Sequence, residues 1–193
     1  MQTNKIGERR FSDKNQKEFA DLSCDYNPIH VDPLLARRLV SGGQIVHGVN
    51  VLLTALNFLF TNKKNYKFSK IKCIFLKPVN INEKISFFKK SKNGNLIIEV
   101  RNKITIFFLI ILEKNVPNIE NKFYIENRYL NKIDKIEKNS INENFNKVTN
   151  TNRYYKINLD NFKFSSKYRN LKNFFTEYQF KSILSLSYFV GMI

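Results

Sequence analysis

Residues 45–60 read IVHGVNVLLTALNFLF, an apolar run broken only by single polar side chains. A helix that is apolar nearly all round cannot lie on a protein surface, so the rest of the chain has to enclose it. The stretch C-terminal to it supplies the means. After a polar loop over 61–67 the pattern turns from helical to extended, with strands expected at 68–77, 82–90, 96–100 and 104–112. Pro78 ends the first of these, and Asn93-Gly94 marks a tight hairpin. One buried helix followed by antiparallel strands is an α+β layout, a sheet closing over a helix. The last strand, strongly apolar, is expected to be buried on both faces, as at a dimer contact.

Before the helix, residues 5–11 read as a short first strand leading to an N-cap at Ser12. A helix over 13–23 should come next, with Phe19 and Leu22 on one face, and Pro33 should open another that carries Leu34, Leu35 and Leu39. Between these two lies Asp25-Tyr26-Asn27-Pro28-Ile29-His30. The chain has two histidines, and the second, His47, stands just before the long helix. Pro28 pushes Asn27 out of the helical region, and Asp and Asn side chains bond nearby backbone, so a tight turn is expected here. Such a turn can bring the His30 ring to face the Asp25 carboxylate across the width of one water. That pairing suits general acid–base chemistry on water. Farther on, Gly42-Gly43 ends the helix opened by Pro33, and Gly48 lets a ligand approach the main chain at a helix start. A free N–H there, with the helix dipole behind it, can hold a carbonyl oxygen that gains negative charge. His47 is expected to bond backbone and shape the pocket, and Asn27 to hold the turn.

The order Phe19-Ala-Asp-Leu-Ser-Cys-Asp25-Tyr-Asn27-Pro28-Ile29-His30-Val-Asp32-Pro33, then Ala36, then Gly43-x-Ile45-Val46-His47-Gly48, resembles the MaoC-like, (R)-specific enoyl-CoA hydratases (hydratase 2 family). The resemblance is close over 11–60 and continues as strand pattern to about residue 113. It implies a hot-dog fold, an antiparallel sheet wrapped around one long central helix. It further implies Asp25 and His30 as the catalytic pair, with Gly48, His47 and Asn27 on the oxyanion and substrate side. The implied substrate is an enoyl thioester of coenzyme A or acyl carrier protein, and the implied assembly a homodimer. No metal and no further cofactor are expected. The family usually has Gly before the catalytic Asp; this chain has Cys24. A hot-dog thioesterase and a non-catalytic thioester-binding subunit stay open as alternatives.

Composition narrows the partners. A net charge of +17 arises from lysines spread almost evenly among Asn, Ile and Phe, with no arginine block. It reads mainly as compositional bias, with an anionic partner such as coenzyme A phosphates or an acidic carrier as the functional reading. No nucleic-acid reading motif accompanies it. No uninterrupted apolar run reaches membrane-spanning length, and the first residues lack the apolar core of a signal peptide. Cys24 and Cys73 show neither metal-ligand spacing nor a disulfide framework, so a cytoplasmic setting is expected. By domain, 1–113 reads as the hot-dog unit. Residues 114–193 read as an Asn/Lys-rich linker, a stretch of strand character at 154–164, and a C-terminal helix from 171, resembling the opening of a truncated second hot-dog unit.

Overall fold

The computed structural model describes residues 3–39, 41–61 and 68–114, together with residues 168, 170–171, 175, 180 and 183–184. The linker, the strand character at 154–164 and most of the C-terminal helix lie outside the described residues.

The chain starts with β1 (Asn4–Arg9) and α1 (Asp13–Ser23). Ser12 caps α1: its hydroxyl accepts from the Asn15 N–H, and the Asn15 side chain accepts from the Ser12 N–H in return. Two four-residue helices come next, α2 (Pro28–Val31) and α3 (Pro33–Ala36), each with proline in its first turn and an Asn or Asp cap. The turn expected around Pro28 is therefore a cap and then a helical turn, because Asn27 Oδ1 accepts from the Ile29 N–H. α3 ends at Ala36, short of the Leu39 expected on it; Ala36 is buried, and Leu34, Leu35 and Leu39 are exposed. The long helix, α4 (Gly48–Phe60), begins three residues later than the apolar run suggests. Ile45 and Val46 instead pair with the loop before β3, through an Ile45–Asn80 bridge and a bond from the Val46 N–H to the Val79 carbonyl.

Then come β2 (Phe68–Phe75), β3 (Ile85–Lys92), β4 (Asn95–Arg101) and β5 (Ile106–Lys114). All pairings are antiparallel, in the spatial order β1-β3-β4-β5-β2. Asn93 and Gly94 both take positive φ, the two-residue hairpin that their sequence predicts. Side chains alternate: Ile85 and Phe87, then Leu96, Ile98 and Val100, then Phe108, Ile110 and Leu112 form one buried face against α4. β5 lies inside the sheet rather than at its edge; within the chain, its second face is buried at Phe107 and half-buried at Leu109 and Ile111. This is the hot-dog fold, a five-stranded antiparallel sheet around a central helix.

Two glycines let helix and sheet side chains approach closely. A Cβ on Gly7 in β1 would fall 2.5 Å from the Phe58 ring, and one on Gly48 would fall 2.5 Å from the Phe75 ring of β2. A side chain at either position would force the facing phenylalanine ring to move.

The remaining flank of α4 carries polar residues. Asn50, Thr54, Asn57 and Thr61 recur at i, i+4, i+7 and i+11, one stripe down an otherwise apolar helix. Residues from far along the chain meet it. The Tyr168 hydroxyl donates to Asn50 Oδ1 at 2.6 Å, and Asn170 Nδ2 donates to Thr61 Oγ1 at 3.1 Å. Tyr168, Leu171, Phe180 and Leu184 join the same hydrophobic core as α4.

Candidate active site

The site is assembled where α1 ends, α2 begins and α4 starts. Cys24 ends α1 in the left-handed conformation, at φ 58° and ψ 19°. The chain reverses there and delivers Asp25 inward, 3% exposed. Ser23, bonded back to the Phe19 carbonyl, accepts from the Asp25 N–H, while Asp25 Oδ1 accepts from the Asn27 N–H at 3.2 Å. Asn27 thus holds the turn with its own main chain and side chain, as expected for it.

His30 sits in α2, 7% exposed. Its Nδ1 lies 2.9 Å from the Ile45 carbonyl oxygen. A carbonyl can only accept, so in the neutral ring Nδ1 carries the proton and Nε2 keeps its lone pair. Burial pushes the His30 pKa below the ordinary 6.5, against smaller upward pulls from the Ile45 bond and the Asp25 charge. The ring is therefore neutral near pH 7, ready to take a proton. Gln44, which no sequence motif singles out, ties the loop down by donating to Asp13 Oδ1 and to the His30 carbonyl. The Ile45 N–H bonds the Ile29 carbonyl across the same gap.

His47 is fully buried before α4, stacked on His30 with ring centres 4.0 Å apart. Its Nδ1 lies 2.8 Å from Gln16 Oε1 and its Nε2 3.0 Å from the Asp25 carbonyl oxygen. It shapes the site from behind. Gln16 also escapes the sequence motifs. Its one signal is its place on the buried face of α1 with Phe19, Ala20 and Ser23, where a fully buried glutamine needs a partner.

A ring nitrogen from each histidine and an Asp25 carboxylate oxygen all lie within 4.8 Å of one another. Two imidazoles and a carboxylate are ligand types for a transition metal. The set does not fit one, because both His47 nitrogens already face oxygens at hydrogen-bond distance, which leaves His47 no nitrogen for a metal. The arrangement suits a proton-transferring pair instead.

No side chain caps α4, and the Gly48 N–H has no partner among the described residues. It stands at the positive end of a thirteen-residue helix, a place where developing negative charge is stabilised. Cys24, next to Asp25 in sequence, has its thiol pKa raised by burial and by the Asp21 charge, which argues against a nucleophile.

Asp25 and His30 thus lie buried together beside the start of the central helix of a hot-dog fold. The family model for the MaoC-like domain matches residues 3–105, and the chain belongs to that family. Among solved structures the chain is similar to an (R)-hydratase from A. caviae involved in PHA biosynthesis. That match has 22% identity, covers 57% of this chain and 91% of that one, and has a TM-score of 0.49. An (R)-hydratase from Pseudomonas aeruginosa matches at 17% identity, 61% and 89% coverage and TM-score 0.48. A MaoC-like dehydratase from Rhodospirillum rubrum matches at 15%, with 60% and 92% coverage and TM-score 0.46. No curated protein matches the chain. No helix among the described residues is long and apolar enough to cross a membrane.

Proposed function

We propose that this chain is a hydro-lyase that reversibly adds water to a trans-2-enoyl thioester of coenzyme A or acyl carrier protein, giving the (R)-3-hydroxyacyl thioester. The observation that carries this reading is the separation of at most 4.8 Å between the Asp25 carboxylate and a His30 ring nitrogen, with the neutral His30 ring fixed by Ile45. A water held between them can be polarised by Asp25 and give a proton to His30 while its oxygen bonds the β-carbon. The electron pair of the double bond moves toward the thioester oxygen, which the Gly48 N–H stabilises, and a proton returns to the α-carbon on the same face. Bonds and charges balance with water alone, so no redox partner enters the scheme.

The active unit is proposed as a homodimer joined along a sheet edge. Among the described residues β1 and β2 are the edge strands, and Phe75 and Leu76 at the end of β2 are 42% and 50% exposed. Sedimentation at micromolar concentration checks this, with monomer alone as the contrary result. The test of the reaction is the absorbance of crotonyl-CoA on mixing with the purified protein. Loss of the enoyl chromophore without release of free thiol is the expected outcome. Thiol release would indicate a thioesterase.

A further inference from the structure

His47 has no solvent and no spare nitrogen. Its ring is fully buried, with Gln16 Oε1 at one nitrogen and the Asp25 carbonyl oxygen at the other. The Gln16 amide cannot be turned to offer its NH₂ group instead. The main-chain N–H of His47 also points at that atom, at 3.0 Å, and a donor there must meet an oxygen. Both ring contacts are therefore to acceptors. A neutral imidazole carries one N–H, so one of its nitrogens would turn a lone pair toward an oxygen at hydrogen-bond distance. A doubly protonated ring turns both contacts into charge-assisted hydrogen bonds.

The surroundings supply the counter-charge. Asp25 Oδ2 lies 3.8 Å from His47 Nε2. A second titratable group faces the ring, His30, stacked on it and kept neutral by burial. Gln16 and Phe19, which also touch the ring, are uncharged. Two effects oppose a cation here: loss of water, and the start of α4, which acts as about half a positive charge. A full carboxylate charge at close range and two carbonyl acceptors offset them.

We infer that His47 is a buried imidazolium, a positioning residue that clamps the Asp25 main chain and balances the Asp25 carboxylate, while His30 is the neutral ring that handles the proton. The purpose of the clamp rests on the proposed hydration; the protonation state does not. Long-range proton–nitrogen correlation NMR reads it without substrate, in a protein with two histidine rings to assign. His30→Ala leaves one ring and completes the assignment. Near pH 7 both His47 nitrogens should be protonated and alike, and one unprotonated His47 nitrogen overturns the inference. Gln16→Leu removes one acceptor and should cost about tenfold or more in kcat with KM little changed. Gln16→Glu keeps an acceptor, so it should retain more activity than Gln16→Leu and extend the protonated range of His47 to higher pH. Equal losses in the two variants would contradict the clamp. A doubly protonated His47 in a protein that leaves crotonyl-CoA intact would refute the proposed reaction and leave this inference standing.

Discussion

The start of α4 and its polar flank present two ways of completing one helix. At the start, the hydrogen-bonding groups that shape the Asp25–His30 site come from the 36 positions between Asp13 and Gly48: the Asp25 turn, the α2 cap, the Gln44 and Ile45 contacts and the open Gly48 N–H. On the flank, Asn50 and Thr61 are met by Tyr168 and Asn170, separated from them by 118 and 109 positions. The first region holds the residues of the proposed chemistry and is locally encoded. The second carries stability, and its partners are distant. Changes in the first should therefore alter rate with the fold intact, and changes in the second should alter stability first.

Mutation should separate the two. At the helix start, Asp25→Asn and His30→Ala are each expected to lower turnover on an enoyl thioester by about 10²–10⁴-fold, with circular dichroism unchanged. Losses under tenfold in both would remove the pair from the mechanism. On the flank, Phe180→Ala should cost about 3–5 kcal/mol of stability, read by denaturant melting. Remaining folded molecules should turn over normally. A subtler flank variant, Tyr168→Phe, keeps the ring and leaves Asn50 Oδ1 buried without its donor, at a cost of about 1–3 kcal/mol. If that variant loses activity with stability intact, the division between the two regions fails.

The pH dependence isolates His30. Its folded pKa lies below 6.5 and its unfolded value near it. The contribution is thus fully present above 6.5. It is lost as pH falls through the folded value, because the unfolded chain then binds the extra proton. Stability should drop on acidification more steeply in the native protein than in His30→Ala, by at most about 1.4 kcal/mol per pH unit. Identical slopes would place His30 in water.

The smallest effect concerns Cys24. Its left-handed φ of 58° costs a side-chain-bearing residue roughly 1–2 kcal/mol, partly returned in the unfolded chain. Cys24→Gly should therefore be neutral to stabilising by up to about 1 kcal/mol, with activity retained. A fall in stability would mean that the thiol packs for more than the turn costs.

The difference between the regions also decides what is legible in the sequence. Caps, prolines and glycines act within a few residues, so α1, the Asp25–His30 geometry, the Asn93-Gly94 hairpin and the strand alternation can all be read locally. The start of α4 falls three residues later than the apolar run predicts, because Ile45 and Val46 are as apolar as helix residues but pair with Val79 and Asn80. Gln16 and Gln44 escape sequence reasoning because neither has chemistry of its own; each matters through the histidine it touches. The polar stripe at Asn50, Thr54, Asn57 and Thr61 is visible as a period. Single polar residues on an apolar helix do not say what covers them, and Tyr168 and Asn170 lie too far along the chain for any local rule to reach.

The most direct measurement is a double-mutant cycle on crotonyl-CoA hydration with the native protein, Asp25→Asn, His30→Ala and the double variant. Because both groups act on one water, the double variant should be little slower than the slower single. Losses that multiply, each residue contributing independently of the other, would contradict a shared water between Asp25 and His30.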